Sequence, residues 1–167
     1  FDSALVPQAD DYSKVFGFPD AVSEGAVTDV DIGAVFDMTD RQGRYYRAAA
    51  VSVGLIANHQ NKMQLTEFGL QYVGATSDER RALRRTAVLR NSFMRAAVEA
   101  IRADGSWTLP DIDNFIESNS DTGGSTIPRR RTSIKNWLVG AGFATVSGSI
   151  IVAANSVNDV DELSPKA

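Results

Sequence analysis

Cysteine is absent from the chain and histidine occurs once, at His59. The first absence excludes disulfide frameworks, thiolate zinc sites and cysteine nucleophiles. The second leaves metal triads and Ser-His-Asp arrangements short of parts. No apolar run approaches the roughly 18 to 20 residues that cross a bilayer, and the opening stretch FDSALVPQADDYSK carries acid where a targeting segment carries base. A cytoplasmic protein without a membrane partner is the expectation. The Asp/Glu-x-Lys tripeptide of restriction-type metal sites does not occur, and Gly123-Gly124-Ser125-Thr126 lacks the Gly-Lys that would make it a P-loop. No catalytic residue, metal or cofactor is therefore expected, although that Gly-rich turn could cradle an anion.

What is present is a complex sequence of 167 residues with 43% apolar and 23% charged positions. That suffices for one ordinary domain or two small ones, with a packed core. The net charge of -4 is unevenly spread. Residues 1 to 40 hold one Lys and nine acids, residues 41 to 102 eleven bases and four acids, residues 103 to 125 five acids and no base, and residues 126 to 146 four bases and no acid. The local field of each basic block therefore matters more than the total. A chain that starts at Phe1 and ends in a polar run is expected to be a piece of a longer protein.

Read in order, residues 11 to 18 predict a short helix ending at Gly17 and Pro19. Val27 is a one-residue strand stub. Thr28 caps a helix from Asp29 to Phe36, with Val30, Ile32 and Gly33 to Phe36 on a buried face. Thr39 caps the next helix, in which Tyr46, Ala49, Ala50 and Val53 form one buried stripe. Gly54 stops it; Leu55 and Ile56 start a strand, Asn58 to Lys62 turn, and Met63 to Leu65 return. Helices follow from Glu67 to Val73, from about Glu79 to Leu89, and from Asn91 to Ala103. Trp107 lies in a second strand stub, Pro110 opens a helix through Ile116, and Ser125 or Thr126 caps a helix whose stripe is Ile134, Trp137, Leu138 and Ala141. Gly142 ends that helix; Phe143 to Val146 and Ile150 to Ala153 form a hairpin.

The second plan repeats the first at a separation of 88 residues: Arg41 meets Arg129, Tyr46 meets Ile134, Arg47 meets Lys135, Ala50 meets Leu138 and Gly54 meets Gly142. Core positions fall on core positions and basic on basic. The expected fold is mainly α with small β wings, an α+β chain of two tandem winged helix-turn-helix modules: residues 1–75, residues 76–156, and a flexible tail at 157–167.

The run RYYRAAAVSVGLI, followed by a short wing and LTEFG, resembles winged helix-turn-helix DNA-binding domains. The tandem arrangement is similar to the DNA-recognition portions beside nuclease domains in some restriction endonucleases. The acidic N-terminal third and the long loop of the second module depart from that pattern. The resemblance implies sequence-specific binding of double-stranded DNA, with a nuclease or other effector as domain or subunit.

Base reading needs Arg, Lys, Gln or Asn on a helix that enters the major groove, with cations for phosphates. Arg41, Gln42, Arg44, Tyr45 and Arg47 supply this in the first module, and Arg129, Arg130, Arg131, Thr132, Lys135 and Asn136 in the second. The first wing adds His59, Asn61 and Lys62. With more cation and no acid in its helix, the second module is expected to dominate affinity. Tyr45 either stacks on the backbone or sits half-buried, and Trp107 and Trp137 belong to the core. Arg80, Arg81, Arg84 and Arg85 either touch phosphates or pair with acids of the N-terminal third. A protein-docking winged helix and an independent transcription regulator are the alternative functions.

Overall fold

The computed structural model describes residues 1–154; the expected tail at 157–167 lies outside the described residues. The chain is mainly helical with two small antiparallel sheets, an α+β fold. Its helices are α1 (Tyr12–Ser23), α2 (Asp29–Phe36), α3 (Asp40–Ser52), α4 (Glu67–Val73), α5 (Ser77–Arg90), α6 (Ser92–Asp104), α7 (Leu109–Asn119) and α8 (Ile127–Gly140). Strands β1 (Ile56–His59) and β2 (Lys62–Leu65) follow α3, β3 (Ser106–Thr108) precedes α7, and β4 (Ala144–Ser147) and β5 (Ile150–Ala153) follow α8.

Threonine starts most of these helices. Thr28, Thr39, Thr76 and Thr108 each accept from the third backbone N–H of α2, α3, α5 and α7, while Asp31, Gln42, Glu79 and Asp111 reach back to the cap N–H. These reciprocal bonds satisfy amide groups that a helix start leaves without intrahelical acceptors. Thr126 does not cap α8: its hydroxyl donates to the Gly123 carbonyl at 3.1 Å and accepts from Arg130 Nε at 3.1 Å. A Cβ added at Gly123 or Gly124 would meet nothing within 4 Å. The first helix also differs from the sequence expectation, running on to Ser23 with Pro19 buried inside it. The missing amide costs α1 one bond, and burial of Phe16, Phe18, Pro19 and Val22 offsets it. In α2 only Ile32 is buried; Val30 and Val35 are 68% and 58% exposed.

Two copies of one element order result: helix, short link, two helices, hairpin. In the second copy the sheet order is β3-β5-β4, with Trp107 opposite Ile151. In the first copy the sheet has two strands, β1 and β2, and Val27 stands beside β2 through a single bond, its carbonyl accepting from Met63 N–H at 2.7 Å. Both buried stripes lie where the periodicity puts them; Ala50, Val53, Ile134, Trp137 and Leu138 are fully enclosed. Gly54 and Gly142 both adopt φ +80°, a left-handed turn that suits a residue without Cβ. Each is covered by a guanidinium: Arg90 lies beside Gly54 and over the Phe68 ring, and Arg85 beside Gly142 and over the Phe143 ring.

The boundary expected at 75/76 falls in the turn between α4 and α5, but the apolar core is continuous across both copies. Helix α1 packs on α3, α4 and α8. Asp20 of α1 receives Arg80 of α5 in two bonds of 2.9 Å, so the N-terminal third neutralises part of that Arg cluster. Arg85 donates to the Ala141 carbonyl at 2.7 Å. Asn91, in the break between α5 and α6, caps Met94 N–H and donates to Leu5 O and Ser52 Oγ at 2.9 and 3.1 Å. The two copies are thereby held in one fixed relation.

Candidate nucleic-acid interface

The N-terminal turns of α3 and α8 meet. Tyr45, on α3, accepts from Arg41 Nε at 2.7 Å, and the Arg41 guanidinium lies 5.7 Å from its ring centroid. Arg129, from the first turn of α8, lies 5.3 Å from the same centroid. Tyr45 is half-buried, while Arg41, Arg44 and Arg129 are exposed and make no ion pair with any described residue. Two cations held on one ring without a carboxylate repel each other, which favours an anion between or beside them.

Other residues singled out in the sequence are committed elsewhere. Arg47 grips Asp29 of α2 with two bonds of 2.7 and 2.8 Å, both side chains being mostly buried. Gln42 serves the cap of α3 through its Oε1, leaving only its amide nitrogen for other partners. Arg131 pairs with Asp113 of α7 at 3.0 Å. Arg130 is 7% exposed and donates from Nη1 to the carbonyls of Ser3 and Val6 at 2.6 and 2.8 Å. Burial lowers its pKa, and the two carbonyls compensate for the lost hydration. Asn136 donates to the Asp10 carbonyl at 2.8 Å and keeps its Oδ1 free of described partners. On α8 this leaves Arg129, exposed Thr132 and half-buried Lys135 facing solvent. The expected surplus of cation on the second helix is therefore spent within the fold: α3 presents two open guanidinium groups, Arg41 and Arg44, and α8 one, Arg129.

The first hairpin turns through Gln60 and Asn61, whose φ values of +51° and +62° suit a two-residue turn between paired strands. His59 and Lys62 face each other across it, and both are exposed. Asn61 joins Arg44, Asp40 and Asp29 around a shallow hollow of about 380 Å³, so this turn lies beside the open face of α3. The second hairpin presents Thr145, Val146, Ser147, Gly148 and Ser149 and no cation.

Between α3 and α8 runs a groove of about 880 Å³ that includes Gln42, Tyr45, Arg129, Thr132 and Asn136. Its floor is the entry to α1, with Asp10, Asp11 and Tyr12. Tyr46 Oη donates to Asp10 Oδ1 at 3.1 Å and accepts from Asp11 N–H at 3.0 Å. Burial, with the neighbouring carboxylates, raises its pKa. Trp137 Nε1 donates to the Ala9 carbonyl at 2.9 Å, which fixes the same segment against α8. Gly140 allows the Tyr12 ring to lie on α8; a Cβ there would come 2.6 Å from Cδ1. No signal in the sequence placed residues 8–14 here, because the contacts are non-local, 35 and 36 residues to Tyr46 and more than a hundred to Asn136 and Trp137.

Among the described residues no helix is long and apolar enough to cross a membrane, and no group of His, Cys, Asp or Glu is placed to hold a metal. No curated protein and no solved structure matches the chain. A family model described as a domain of unknown function, DUF7226, matches residues 14–139, from the first turn of α1 almost to the end of α8. The match takes in the first copy and the second as far as α8, short of the β4–β5 hairpin, and covers well over half of the sequence, so the chain belongs to the DUF7226 family.

Proposed function

We propose that the two copies are tandem winged helices and that the chain binds duplex DNA through the face where α3 and α8 meet. Support for the fold reading comes from the element order and from the sheet order β3-β5-β4, with Val27 beside β2 in the first copy where the second has β3. The observation that carries the functional reading is the convergence of Arg41 and Arg129 on Tyr45 without a carboxylate partner. Arg44 lies three residues beyond Arg41 on α3, and exposed Lys62 extends the cationic line along the hairpin.

The geometry constrains how DNA is approached. Recognition helices that read successive major-groove segments are about 34 Å apart. Arg41 and Arg129 are both within 5.7 Å of one ring centroid, closer than the width of a single major groove, about 12 Å. The two helix starts therefore address one groove, with Arg41 and Arg129 at phosphates and Arg44 toward a base edge. A nuclease or other effector would be brought to the site by a further domain or subunit. Fluorescence anisotropy on duplexes of increasing length tests this: full affinity on about one helical turn supports it, and a requirement for two turns opposes it.

A second reading is favoured by one feature, the exposed valines of α2. Val30 and Val35, with Val27 38% exposed beside them, offer an apolar surface to a protein partner. Such docking is only weakly salt-dependent, whereas phosphate contacts are steeply so.

A further inference from the structure

The groove between α3 and α8 is chemically two-ended. At its rim, Arg129 and, through Tyr45, Arg41 offer guanidinium donors. On its floor the carboxylates of Asp10, Asp11 and Asp37 outnumber the single Lys14 ammonium, and Asp10 Oδ2, Asp11 Oδ2 and Asn136 Oδ1 are acceptors without a partner among the described residues, because Asp10 Oδ1 accepts from Tyr46, Asp11 Oδ1 accepts from Lys14 N–H, and the Asn136 amide nitrogen is used on the backbone. Tyr12 and Tyr45 provide ring surface, and the Gln42 amide nitrogen remains a donor. The carboxylates repel a phosphate from the floor while the guanidinium groups attract it to the rim. A fitting occupant is anionic at one end and carries an amino donor at the other.

We infer that this groove seats one unstacked nucleotide, its phosphate at Arg129 and Arg41 and the exocyclic amine of adenine or cytosine on Asp10 and Asn136. The inference rests on the duplex-binding reading for where such a nucleotide comes from: a base extruded from bound duplex or an unpaired strand end. Both sources present the same chemistry, since carboxylate and amide oxygens accept from adenine N6 or cytosine N4 and meet no donor on the thymine O4 edge. The volume of about 880 Å³ is within the range of small-molecule sites.

The test titrates the full chain with dAMP, dCMP and dTMP, followed by amide chemical shifts. Binding of dAMP or dCMP about tenfold tighter than dTMP is expected, with shifts at residues 10–14, 42–46 and 129–136. In Asp10→Asn the Tyr46 bond has an acceptor still available, so the fold is preserved and the preference for amino bases should fall. Equal response to all three nucleotides, no response, or a preference that survives Asp10→Asn overturns the inference. A duplex with 2-aminopurine next to a central adenine, so that extrusion of the adenine unstacks the reporter, and one with an unpaired 3′ adenine then distinguish the two sources: brightening of the first points to extrusion, tighter binding of the second to strand ends. Duplex affinity without base discrimination would sink the nucleotide site and leave the duplex reading standing; discrimination without duplex affinity would do the reverse.

Discussion

Arg129 of α8 lies over the ring of Tyr45 of α3, 5.3 Å from its centroid. That contact joins equivalent ends of two repeated units and gathers the open guanidinium groups of both on one small area. Three expectations about binding and folding can be drawn from it and from the cations around it.

Removal of an open cation should weaken DNA binding without unfolding the chain. Arg129→Ala and Arg44→Ala are each expected to cost about 1 to 3 kcal/mol if the residue reads a base, with relaxed specificity, or to lower the salt slope by about 1 if it contacts phosphate. Anisotropy titrations at several salt concentrations separate these outcomes. A shift in thermal midpoint equal to that of a core variant would show instead that the residue is structural.

Arg130→Ala should behave in the opposite way. It leaves the Ser3 and Val6 carbonyls without their donor in a buried setting, at a cost of about 2 to 3 kcal/mol in unfolding free energy. DNA affinity per folded molecule should stay near that of the parent chain. Chemical denaturation monitored at Trp107 and Trp137, which are 3% and 0% exposed, measures the first quantity. A large fall in affinity with unchanged stability would return Arg130 to the interface.

The contrast between these neighbours shows where sequence reading reaches its limit. Caps, buried stripes, Gly stops and the 88-residue recurrence are local or periodic, and they could be read directly: Thr39 as the cap of α3, and Ile134 with Trp137 and Leu138, stand as expected, whereas Gln42, expected to read bases, completes the Thr39 cap. Adjacent arginines at 129, 130 and 131 share a side chain but not a face: Arg130 lies four and seven residues before Ile134 and Trp137, on the buried stripe, a signal the sequence held although the partners that accept its charge were not legible there. The N-terminal segment, folded back from more than 120 residues away, supplies those partners to Arg130, while Asp113 of α7 engages Arg131. The same long-range packing placed Asp10 and Asp11 in the groove and carried α1 through Pro19. Burial of α2 was only partial for a related reason: Ile32 is enclosed and Phe36 stacks on Phe18 of α1, while Val30 and Val35 point away, so an apolar composition did not yield a wholly buried face.

Gly54→Ala and Gly142→Ala should each destabilise the chain by about 1 to 2 kcal/mol, since an L-residue is strained at φ +80°. The Gly142 variant should be the worse of the two, because Arg85 Nη1 lies 3.0 Å from the position of the added Cβ against 3.4 Å for Arg90 Nη1 at Gly54. Paired denaturant titrations give the ranking. Equal or negligible losses would mean that these turns relax.

Stability should decline on the acid side through the helix caps. Asp31 is held below its ordinary pKa of 3.8 by the backbone N–H groups of Val27 and Thr28, and Glu79 below 4.5 by that of Thr76. A carboxyl group with a depressed folded pKa stabilises fully above its unfolded value and loses that contribution as pH falls through the folded one. Unfolding free energy should therefore hold down to about pH 5 and drop below it. Asp31→Asn and Glu79→Gln should each flatten the drop; an unchanged acid limb in both would show that the caps do not set it.

The central claim is that the surface around Tyr45 binds duplex DNA through its backbone charge and reads one groove. The most direct test is the affinity of the full chain for a mixed-sequence duplex of about one helical turn, measured from low to physiological salt. With Arg41, Arg129 and Lys62 at phosphates and Arg44 at a base edge, log affinity should fall with log salt at a slope of about −3. A flat dependence, or no binding at low salt, would contradict the account.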